Sequence, residues 1–587
     1  MDIREKREVA IKIGGEAGFG IKAAGLILGR ALFQSGAEIF GYSEYPSLIR
    51  GGHNTYQLNI SEGPVQSTTK KIDVLLALDK KTAELHKAEI KAGGFIIFDG
   101  LNLDSEDWAE INLIDLPLGK IAEDNGGLMM RNTVALGALA FIIDFNIQLV
   151  EAEIEKNFRR KGEAVVKANK QAARAGYDYL IKNYSAKRAI TNWSWGRETA
   201  GESLFLTGND ATAEGMLQAG CNFYAAYPMT PATSILHTLI EKQKENQIVV
   251  HQAEDEISAI GVAIGASLAG ARAGTGTSGG GFSLMVEGLG LAAMTETPLV
   301  VINSQRPAPA TGLPTWTDQG DLNFVLYASH GEFPRIVVAP GDAEEAFYLI
   351  QEAFDWSEKW QVPVIVLLDK MLSESDFTIT DLKRDKIKTK REGFLSDEEL
   401  KRVAQYKRYE ITASGVSWRA VPGQEGGVHL ANSDEHDEEG FSSEEADIRQ
   451  QMMDKRFAKI KLISGELREP ELYGESEADL TIVGWGSVKG TISDALEEVR
   501  KQKLEINNSK RVNFLHLNYL WPFPVEKVRA VLGKAKKILL VENNKTGQLG
   551  ELIKQQTGIE IKNKFLKYDG RPFFREEIID KINELTR

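Results

Sequence analysis

Residues 253–281 read AEDEISAIGVAIGASLAGARAGTGTSGGG, and the rest of the chain is best interpreted outward from this stretch. Acidic side chains precede a run of small and apolar residues, Ile257–Ser267, which predicts a helix with little polar surface. Glu256 stands directly before this helix, so we expect its carboxyl to be buried, where it stays protonated or requires a special partner. Five glycines within Gly274–Gly281 predict a loop whose backbone amides can approach a ligand closely.

Short apolar runs alternate with helical patterns on both sides of this stretch. Strands are predicted at Ala225–Tyr227, Ile248–Gln252, Pro298–Asn303 and Pro363–Leu368, and helices at Ala211–Ala219 and Ser234–Lys242. Each connection between strands is long enough for a crossover helix, which favours a doubly wound α/β domain with a parallel sheet. Ligands of such sheets bind at the carboxyl ends of the strands.

The whole chain is too long for one hydrophobic core, because single cores stop growing near roughly 250–300 residues and this chain has 587. An α/β pattern also fills both ends of the sequence. We therefore predict an α/β domain over residues 1–185, a polar linker over 186–202, the central domain over 203–377, a connector over 378–478 and a C-terminal α/β domain over 479–587. The basic and acidic runs of the connector predict an exposed segment.

Composition excludes several classes of protein. The net charge of −14 opposes binding to nucleic acid or to an anionic membrane. No apolar run approaches the ~20 residues of a membrane span, and the N-terminus lacks the apolar stretch of a signal peptide, so we expect a cytoplasmic protein. A single cysteine, Cys221, allows neither an intramolecular disulfide nor a cluster with four cysteine ligands. The histidines show no metal-ligand spacing, even at His429 and His436, and no metal site is expected.

The glycine-rich segment Gly14–Gly20 joins a predicted strand to a predicted helix. Together with Ala23 it fits the pattern G-x-G-x-x-A, and Glu38 stands about where a ribose-binding acid would. This is the basis of an alternative interpretation, a nicotinamide or flavin dinucleotide site. A wide turn where another chain or ligand approaches closely explains the glycines equally well.

A second glycine turn precedes the predicted strand Thr55–Ile60. Arg50, Gly51 and Gly52 form either a tight turn or a phosphate-facing loop with one basic anchor.

Two segments of the central domain place polar side chains after strands. In Tyr227-Pro228-Met229-Thr230-Pro231, the prolines fix the backbone and hold the Thr230 hydroxyl at the carboxyl end of a strand, where it binds a ligand or caps the next helix. Arg306 follows another strand and precedes a proline-stiffened loop that runs to Thr315. An arginine at this position is well placed to bind a carboxylate through two hydrogen bonds.

These segments, taken in order, resemble the alpha subunit of the 2-oxoacid:ferredoxin oxidoreductases in its thiamine-pyrimidine-binding domain. The segments are YPMTP (227–231), AEDEISAIGVAIGAS (253–267), GTGTSGGG (274–281) and SQRPAPATGLPT (304–315). GGEAGFG (14–20), SEYPSLIRGGHNTY (43–56) and RNTVALGAL (131–139) are similar to the gamma domain of the family, here fused ahead of the alpha portion. DEHDEEG (434–440), VGWGSVKG (483–490) and LWPFP (520–524) are similar to the rest of the alpha subunit, whose C-terminal domain is a transketolase-C-like α/β domain.

The resemblance implies an enzyme that oxidatively decarboxylates a 2-oxoacid to an acyl-CoA and CO₂ and reduces ferredoxin. It implies that this chain binds the pyrimidine half of thiamine diphosphate, while a beta subunit holds the diphosphate, Mg²⁺ and a [4Fe-4S] cluster. The G-D-G motif that binds the diphosphate is absent from the sequence, which agrees with a half-site subunit. Fusion of the gamma domain is typical of enzymes acting on 2-oxoglutarate, with pyruvate or branched-chain 2-oxoacids as the alternative.

The resemblance also implies roles for single residues. Glu256 is similar to the glutamate that bonds the pyrimidine nitrogen and promotes loss of the thiazolium C2 proton. The other implied sites are Thr230, Arg306 and Thr315 for the substrate, Tyr227, Pro228, Thr277 and Gly279 for the cofactor, and Arg50, Gly51 and Gly52 for coenzyme A or a gamma-domain loop. Trp316, directly after Thr315, departs from the family pattern and leaves the side-chain preference open.

Overall fold

The computed structural model describes residues 7–48, 51–101, 103, 108–185, 202–506 and 511–587. Arg50 and residues 186–201 of the predicted linker lie outside this part of the chain. The chain divides into two compact units. The first comprises Met1–Leu206, Ser375–Leu382 and Phe574–Ile578, and the second comprises Thr207–Glu374, Lys383–Phe573 and Ile579–Arg587.

The first unit contains an eight-stranded sheet in the order β6-β5-β4-β1-β3-β2-β14-β7. Its strands are β1 (Glu8–Glu16), β2 (Glu38–Glu44), β3 (His53–Ser61), β4 (Ile72–Ala77), β5 (Ile90–Phe98), β6 (Asn112–Asp115), β7 (Glu202–Thr207) and β14 (Asp376–Leu382). Its helices are α1 (Ile21–Gln34), α2 (Lys80–His86), α3 (Leu118–Asp124), α4 (Arg131–Ile142), α5 (Ile147–Phe158) and α6 (Glu163–Tyr184). Strand β1 is parallel to β4 and antiparallel to β3, so the sheet is mixed.

Helix α4 is buried over nearly its whole length and packs on α6. Two glycines permit this close approach. A Cβ atom on Gly137 would overlap the carbonyl of Ala173, and one on Gly176 would overlap the carbonyl of Val134. The apolar RNTVALGAL segment is therefore a core helix, and its glycine is required because another backbone occupies the side-chain position.

The register of the first sheet contradicts the dinucleotide interpretation. The glycine turn follows Glu16, which pairs with His53 on β3, whereas Glu38 pairs with Ser61 at the other end of β3. At about 3.3 Å per residue, the eight intervening steps place Glu38 roughly 26 Å along the sheet from the turn. Strand β3 also separates β2 from β1, so the βαβ unit of a dinucleotide fold is not formed. The predicted ribose contact by Glu38 is wrong.

The second unit contains a seven-stranded sheet in the order β18-β12-β13-β11-β10-β8-β9. Its strands are β8 (Phe223–Ala226), β9 (Val249–Gln252), β10 (Ala273–Thr277), β11 (Leu299–Gln305), β12 (Ile336–Val338), β13 (Pro363–Asp369) and β18 (Tyr519–Trp521). The helices are α7 (Gly208–Gln218), α8 (Thr233–Asn246), α9 (Glu256–Leu268), α10 (Gly279–Met294), α11 (Leu322–Tyr327), α12 (Ala343–Trp360) and α13 (Lys370–Glu374). Neighbouring strands are parallel except β12 and β18, which confirms the predicted parallel α/β domain.

The predicted glycine-rich loop is wrong for most of its length. Ala273–Thr277 form the buried strand β10 between β8 and β11, and α10 begins at Gly279. Glycine is normally unfavourable inside a strand, but neighbouring rings occupy the space above this one. A Cβ atom on Gly276 would overlap the Tyr224 hydroxyl, and one on Gly274 would lie 3.1 Å from the ring of Phe354.

A five-stranded sheet in the order β15-β17-β16-β19-β20 forms the C-terminal part of the second unit. Its strands are β15 (Glu471–Tyr473), β16 (Leu480–Trp485), β17 (Val512–Leu517), β19 (Ile538–Glu542) and β20 (Asn563–Leu566). The remaining helices are α14 (Asp397–Leu400), α15 (Ala446–Glu466), α16 (Val488–Ile506), α17 (Val525–Leu532), α18 (Gln548–Thr557) and α19 (Arg575–Thr586). In the described residues, no helix combines the length and apolar character needed to cross a membrane.

The basic run 383–391 of the connector is exposed or half-buried, as its charges predict, but other residues within 378–478 are buried. Arg408, Tyr409, His436, Lys455 and Lys459 are all buried. The two lysines of α15 form ion pairs with the buried carboxylate of Glu296, which follows α10. Charged residues are tolerated inside a protein when they are paired, and the partner here is more than 150 residues away in sequence.

Candidate active site

The predicted site residues meet at one edge of the seven-stranded sheet. Strands β11, β10, β8 and β9 are neighbours and parallel, so their carboxyl ends lie together. Arg306 follows β11, Ser278 follows β10, Tyr227 follows β8, and the segment after β9 leads to Glu256. Four segments that are distant in sequence therefore meet where open parallel sheets bind their ligands.

Glu256 is the first residue of α9, a helix capped by Asp255, whose side chain accepts the Ser258 amide at 2.7 Å. Its side chain is buried, with 3% of the residue exposed, and its Oε1 atom has no hydrogen-bond partner among the described residues. A Cβ atom on Gly281 would overlap both this carboxylate and the Thr277 hydroxyl. The glycine thus allows the carboxylate to pack against the start of α10, and a ligand with a hydrogen-bond donor would satisfy the buried oxygen, which has no donor within the described ranges.

Arg306 contacts the segment that follows β8. Its Nη1 donates to the backbone carbonyl of Thr230 at 2.7 Å. Partial burial lowers the pKa of Arg306, while the nearby negative charge of Glu256 raises it. The site therefore contains a negative charge on Glu256 and a positive charge on Arg306. The hydrogen bond from Nη1 to the Thr230 carbonyl holds the guanidinium in place.

The remaining predicted residues surround these two. Thr277 is fully buried, and its hydroxyl lies 3.8 Å from the sulfur of Met229. Thr315 is buried in the segment between β11 and α11, and the ring of Trp316 beside it stacks on the Arg571 guanidinium at 3.4 Å. At the start of the site, Pro228 is half-buried and Tyr227 is exposed.

Three residues behind Gly279 were not predicted. A Cβ atom on Gly279 would overlap the Asp321 carboxylate, to which Asn303 donates at 3.0 Å, and Gln305 Oε1 accepts the Asp321 amide at 3.0 Å. Burial raises the pKa of Asp321, and the Asn303 hydrogen bond opposes that shift. The three polar residues that end the otherwise apolar strand LVVINSQ could have indicated Asn303 and Gln305 from the sequence, whereas nothing in the sequence distinguishes Asp321.

The two glycine turns of the first unit also meet. The Ala17 amide donates to the Gly52 carbonyl at 3.2 Å, and Gly51 and Gly52 both have positive φ angles, 74° and 88°. A cavity of about 430 Å³ lies beside the first turn, with Lys22 and Asn54 in its wall. The loop residue Arg50 lies outside the described residues.

The histidines and the cysteine are used structurally. His429 and His436 bond the backbone carbonyls of Gly427 and Asp434, at 3.0 and 2.9 Å. Cys221 is buried, and burial raises the pKa of its thiol to about 12. Within the ranges that the structure describes, no three His, Cys, Asp or Glu side chains are grouped as metal ligands.

Three family descriptions match consecutive parts of the chain. "Pyruvate ferredoxin/flavodoxin oxidoreductase" matches residues 10–179. "Pyruvate flavodoxin/ferredoxin oxidoreductase, thiamine diP-bdg" matches residues 214–455, which include the site described above. "Pyruvate:ferredoxin oxidoreductase core domain II" matches residues 478–578.

Full-length relatives agree with these matches. The chain is 33% identical to a 2-oxoacid:ferredoxin oxidoreductase subunit alpha from Sulfolobus sp, over 98% of this chain and 96% of that protein. It is 34% identical to the subunit of the same name from Saccharolobus solfataricus, over 98% and 97%. A solved structure of 2-oxoglutarate:ferredoxin oxidoreductase from Magnetococcus marinus, with 2-oxoglutarate, coenzyme A and succinyl-CoA bound, is 31% identical, with a TM-score of 0.90 over 99% of this chain and 100% of that chain. Because these matches include the parallel sheet that holds Glu256 and Arg306, the chain belongs to the family of 2-oxoacid:ferredoxin oxidoreductase alpha subunits.

Proposed function

We propose that this chain provides the pyrimidine-binding half of a thiamine-diphosphate site that oxidatively decarboxylates 2-oxoglutarate, with coenzyme A as acyl acceptor and ferredoxin as electron acceptor. The observation that carries the proposal is the buried Glu256 carboxyl, whose Oε1 packs against Gly281 and has no hydrogen-bond donor in the part of the chain that the structure describes. A ring nitrogen of the aminopyrimidine fits this carboxyl chemically, because it can share a hydrogen bond and a proton with a carboxyl group.

The residues around Glu256 fit the same cofactor. When bound, thiamine diphosphate supplies a carbon nucleophile that accepts the electron pair left by departing CO₂. Glu256 would hold or transfer the proton of the pyrimidine nitrogen, while Thr277, Gly279, Tyr227 and Pro228 would form the walls of the pocket. Burial favours this role, because a carboxyl group removed from water forms a stronger hydrogen bond to a ligand than an exposed one.

Arg306 is proposed to bind the carboxylate of the substrate, with Thr230 and Thr315 orienting the carboxylate and carbonyl region by single hydrogen bonds. The bond from Arg306 to the Thr230 carbonyl holds the guanidinium beside the threonine that shares this task. Partial desolvation strengthens a charge-assisted hydrogen bond to a substrate anion.

A beta subunit is proposed to complete the site and to hold the diphosphate, Mg²⁺ and the [4Fe-4S] cluster. One face of α9 supports this, because Ile257, Gly261 and Gly265 follow one another at four-residue spacing and are all exposed. Leu284 on the adjacent α10 is exposed as well. An apolar helix face that starts at Glu256 suits burial by a partner chain better than contact with water.

Coenzyme A is proposed to contact the first unit at the loop of Arg50, Gly51 and Gly52. Support comes from the positive φ angles of the two glycines and from the cavity beside the neighbouring glycine turn, where Lys22 provides a cation for a phosphate group.

The choice of 2-oxoglutarate rests on the Magnetococcus marinus enzyme, whose structure contains this substrate. The test is a steady-state comparison of 2-oxoglutarate, pyruvate and 2-oxoisovalerate with the chain reconstituted with its beta subunit, coenzyme A and a viologen acceptor. We expect the highest kcat/KM for 2-oxoglutarate and no turnover by the isolated chain. A higher kcat/KM for pyruvate or 2-oxoisovalerate would overturn the choice of 2-oxoglutarate as substrate. Turnover by the isolated chain would overturn the proposal that it provides only half of the active site.

Glu256→Gln tests the site itself. The substitution keeps the shape of the side chain but removes proton transfer, so kcat should fall on the order of 10²–10⁴-fold while the subunits still assemble. Glu254→Gln is the matched control, because Glu254 is exposed and its carboxylate accepts a hydrogen bond from the nearby Ser258 hydroxyl at 2.9 Å. Near-normal turnover by the Glu256 variant, or a comparable loss in the control, would remove Glu256 from this role.

A further inference from the structure

A second cavity, of about 160 Å³, lies in the second unit and contains none of the residues of the candidate active site. Its wall is formed by the C-terminal half of α10, the segment at residues 330–333, Ser433 and two arginines of α15, Arg449 and Arg456. A cavity of about 150 Å³ accommodates a molecule the size of benzene, so this one has room for a phosphate ion or a small carboxylate.

Arg456, one of the residues that line this cavity, has a hydrogen-bond donor without a partner in the described part of the chain. The residue is 3% exposed, and its Nη2 donates to both carboxylate oxygens of Glu435, at 3.0 and 2.8 Å. Its Nη1 is buried and has no hydrogen-bond partner among the residues that the structure describes. Buried guanidinium nitrogens are normally hydrogen-bonded, because an unpaired charged donor in a protein interior is costly.

A hydroxyl group without a partner lies next to the same wall. Ser329 Oγ is buried and unbonded within the described residues, and it lies 2.7 Å from the position that a Cβ on Gly290 would take. Gly290 forms part of the cavity wall. Two donors without acceptors thus lie close to one small cavity.

The charges around α15 favour an anion. Four cations that are each at most 3% exposed, Arg408, Lys455, Arg456 and Lys459, lie close together. In the described residues, only two carboxylates, those of Glu296 and Glu435, form ion pairs with these four cations. Burial, together with the charges of Lys459 and Arg408, lowers the pKa of Lys455 to about 8 in spite of its pairing with Glu296.

Opposing charges are present but weaker. Glu287 and Glu332 also line the cavity, and Arg449 shares Glu435 with Arg456. Both glutamates of the wall are exposed, so water screens their repulsion of an anion far more than it screens the attraction of a buried guanidinium.

We propose that this cavity is a binding site for a small oxyanion, a carboxylate or a phosphate, which accepts a hydrogen bond from Nη1 of Arg456, with Arg449, His330 and Ser433 in the surrounding wall. The site is independent of the proposed decarboxylation, because binding is measured without turnover.

The test is isothermal titration of the full chain with inorganic phosphate and, separately, with acetate, at constant ionic strength. We expect saturable binding of at least one of them, and the tighter of the two identifies the class of anion. Arg456→Gln should weaken binding roughly 10–150-fold, as expected for loss of a charged hydrogen bond.

Exposed positions keep the test independent of folding. Ser433→Glu adds a negative charge to the wall and should weaken binding about tenfold or more, whereas Ser433→Gln, of the same size, should leave it within about twofold. Glu332→Gln removes a repelling charge and should tighten binding. Absence of saturable binding for both anions, or equal affinities of the Ser433→Glu, Ser433→Gln and Glu332→Gln variants, would overturn the proposal.

Discussion

Glu256 and Arg306 lie at the same edge of the central sheet but are fixed in different ways. Glu256 is placed by the start of a helix and is buried, and one of its oxygens has no donor among the residues that the structure describes. Arg306 is half-buried and is held through the Thr230 carbonyl. The Glu256 carboxyl, which can accept a hydrogen bond, is complementary to a cofactor nitrogen. The positively charged guanidinium of Arg306 is complementary to a substrate carboxylate.

The carboxylate common to all 2-oxoacids is the expected ligand of Arg306. Arg306→Lys keeps the charge but loses the planar two-point contact, so we expect a partial defect. Arg306→Ala leaves the substrate anion poorly compensated and should lower kcat/KM roughly 10–150-fold. The measurement is a steady-state panel of pyruvate, 2-oxoglutarate and 2-oxoisovalerate with the reconstituted complex.

All accepted substrates should lose activity by a similar factor, and Arg402→Ala, at an exposed arginine, is the control. A loss confined to 2-oxoglutarate would show that Arg306 contacts the distal carboxylate instead.

At the scale of single elements, the first turn of α10 shapes the site because it consists of three glycines. A Cβ on Gly281 would meet Glu256 and Thr277, one on Gly279 would meet Asp321, and one on Gly280 would meet no atom closer than 3.9 Å. The neighbouring glycines of this turn therefore have different surroundings. Substituting them one at a time distinguishes an effect on the site from an effect on the stability of the helix.

Gly281→Ala should impair cofactor binding, since overpacking of a filled site typically costs about 1–3 kcal/mol, or roughly 5–150-fold in affinity. Gly280→Ala should leave activity unchanged and stabilise the helix by about 0.5–1 kcal/mol. The measurements are the dependence of activity on thiamine diphosphate concentration and the thermal unfolding of both variants. Equal affinities for thiamine diphosphate in the two variants would argue against a role for the space above Glu256.

At the scale of the whole second unit, the C-terminal part of the chain is joined to the central sheet by polar contacts. Strand β18 pairs with β12 at the sheet's edge. Gln319 donates to the Trp485 carbonyl at 2.8 Å and accepts the Asn543 amide at 2.9 Å. Near these bonds lie several buried carboxyls, and burial raises the pKa values of both Asp318 and Glu542 to about 7.

These two carboxyls predict a pH dependence of stability. A carboxyl whose pKa is raised in the folded state stabilises the fold below its unfolded pKa, and this stabilisation is lost as the pH rises through the folded value. The free energy of unfolding should therefore fall between about pH 4.5 and 7, with Glu542 contributing up to about 3 kcal/mol. Urea unfolding at a series of pH values measures this dependence.

Glu542→Gln should flatten the dependence, because an amide oxygen can still accept the bond from Trp485 Nε1, which is 2.9 Å long in the structure. Glu551→Gln, at an exposed position of α18, should leave the dependence unchanged. An unaltered pH profile in the Glu542 variant would contradict the assignment.

The sequence by itself determined the α/β class, most of the central strands and helices, and the buried carboxyl at Glu256. The predicted strand Pro298–Asn303 corresponds to Leu299–Gln305, and the predicted helix Ile257–Ser267 to Glu256–Leu268. These features are local, because apolar periodicity and acidic helix starts are written in consecutive residues. The predicted domain boundaries and the roles of the single site residues stay predictions.

Only the tertiary structure decided which segments meet. Strand β10 was not predicted, because its glycines add nothing to a hydropathy pattern. A glycine is suitable in this strand only because rings such as that of Tyr224 pack over it. Burial of Lys455 and Lys459 in the connector depends on Glu296, with which they pair although they lie more than 150 residues further along the chain. Likewise, Glu38 fits a ribose-binding spacing in sequence, yet the sheet register places it at the end opposite the glycine turn. Strand order, register and ion pairing involve residues that are distant in sequence, so they cannot be predicted from the pattern of neighbouring residues.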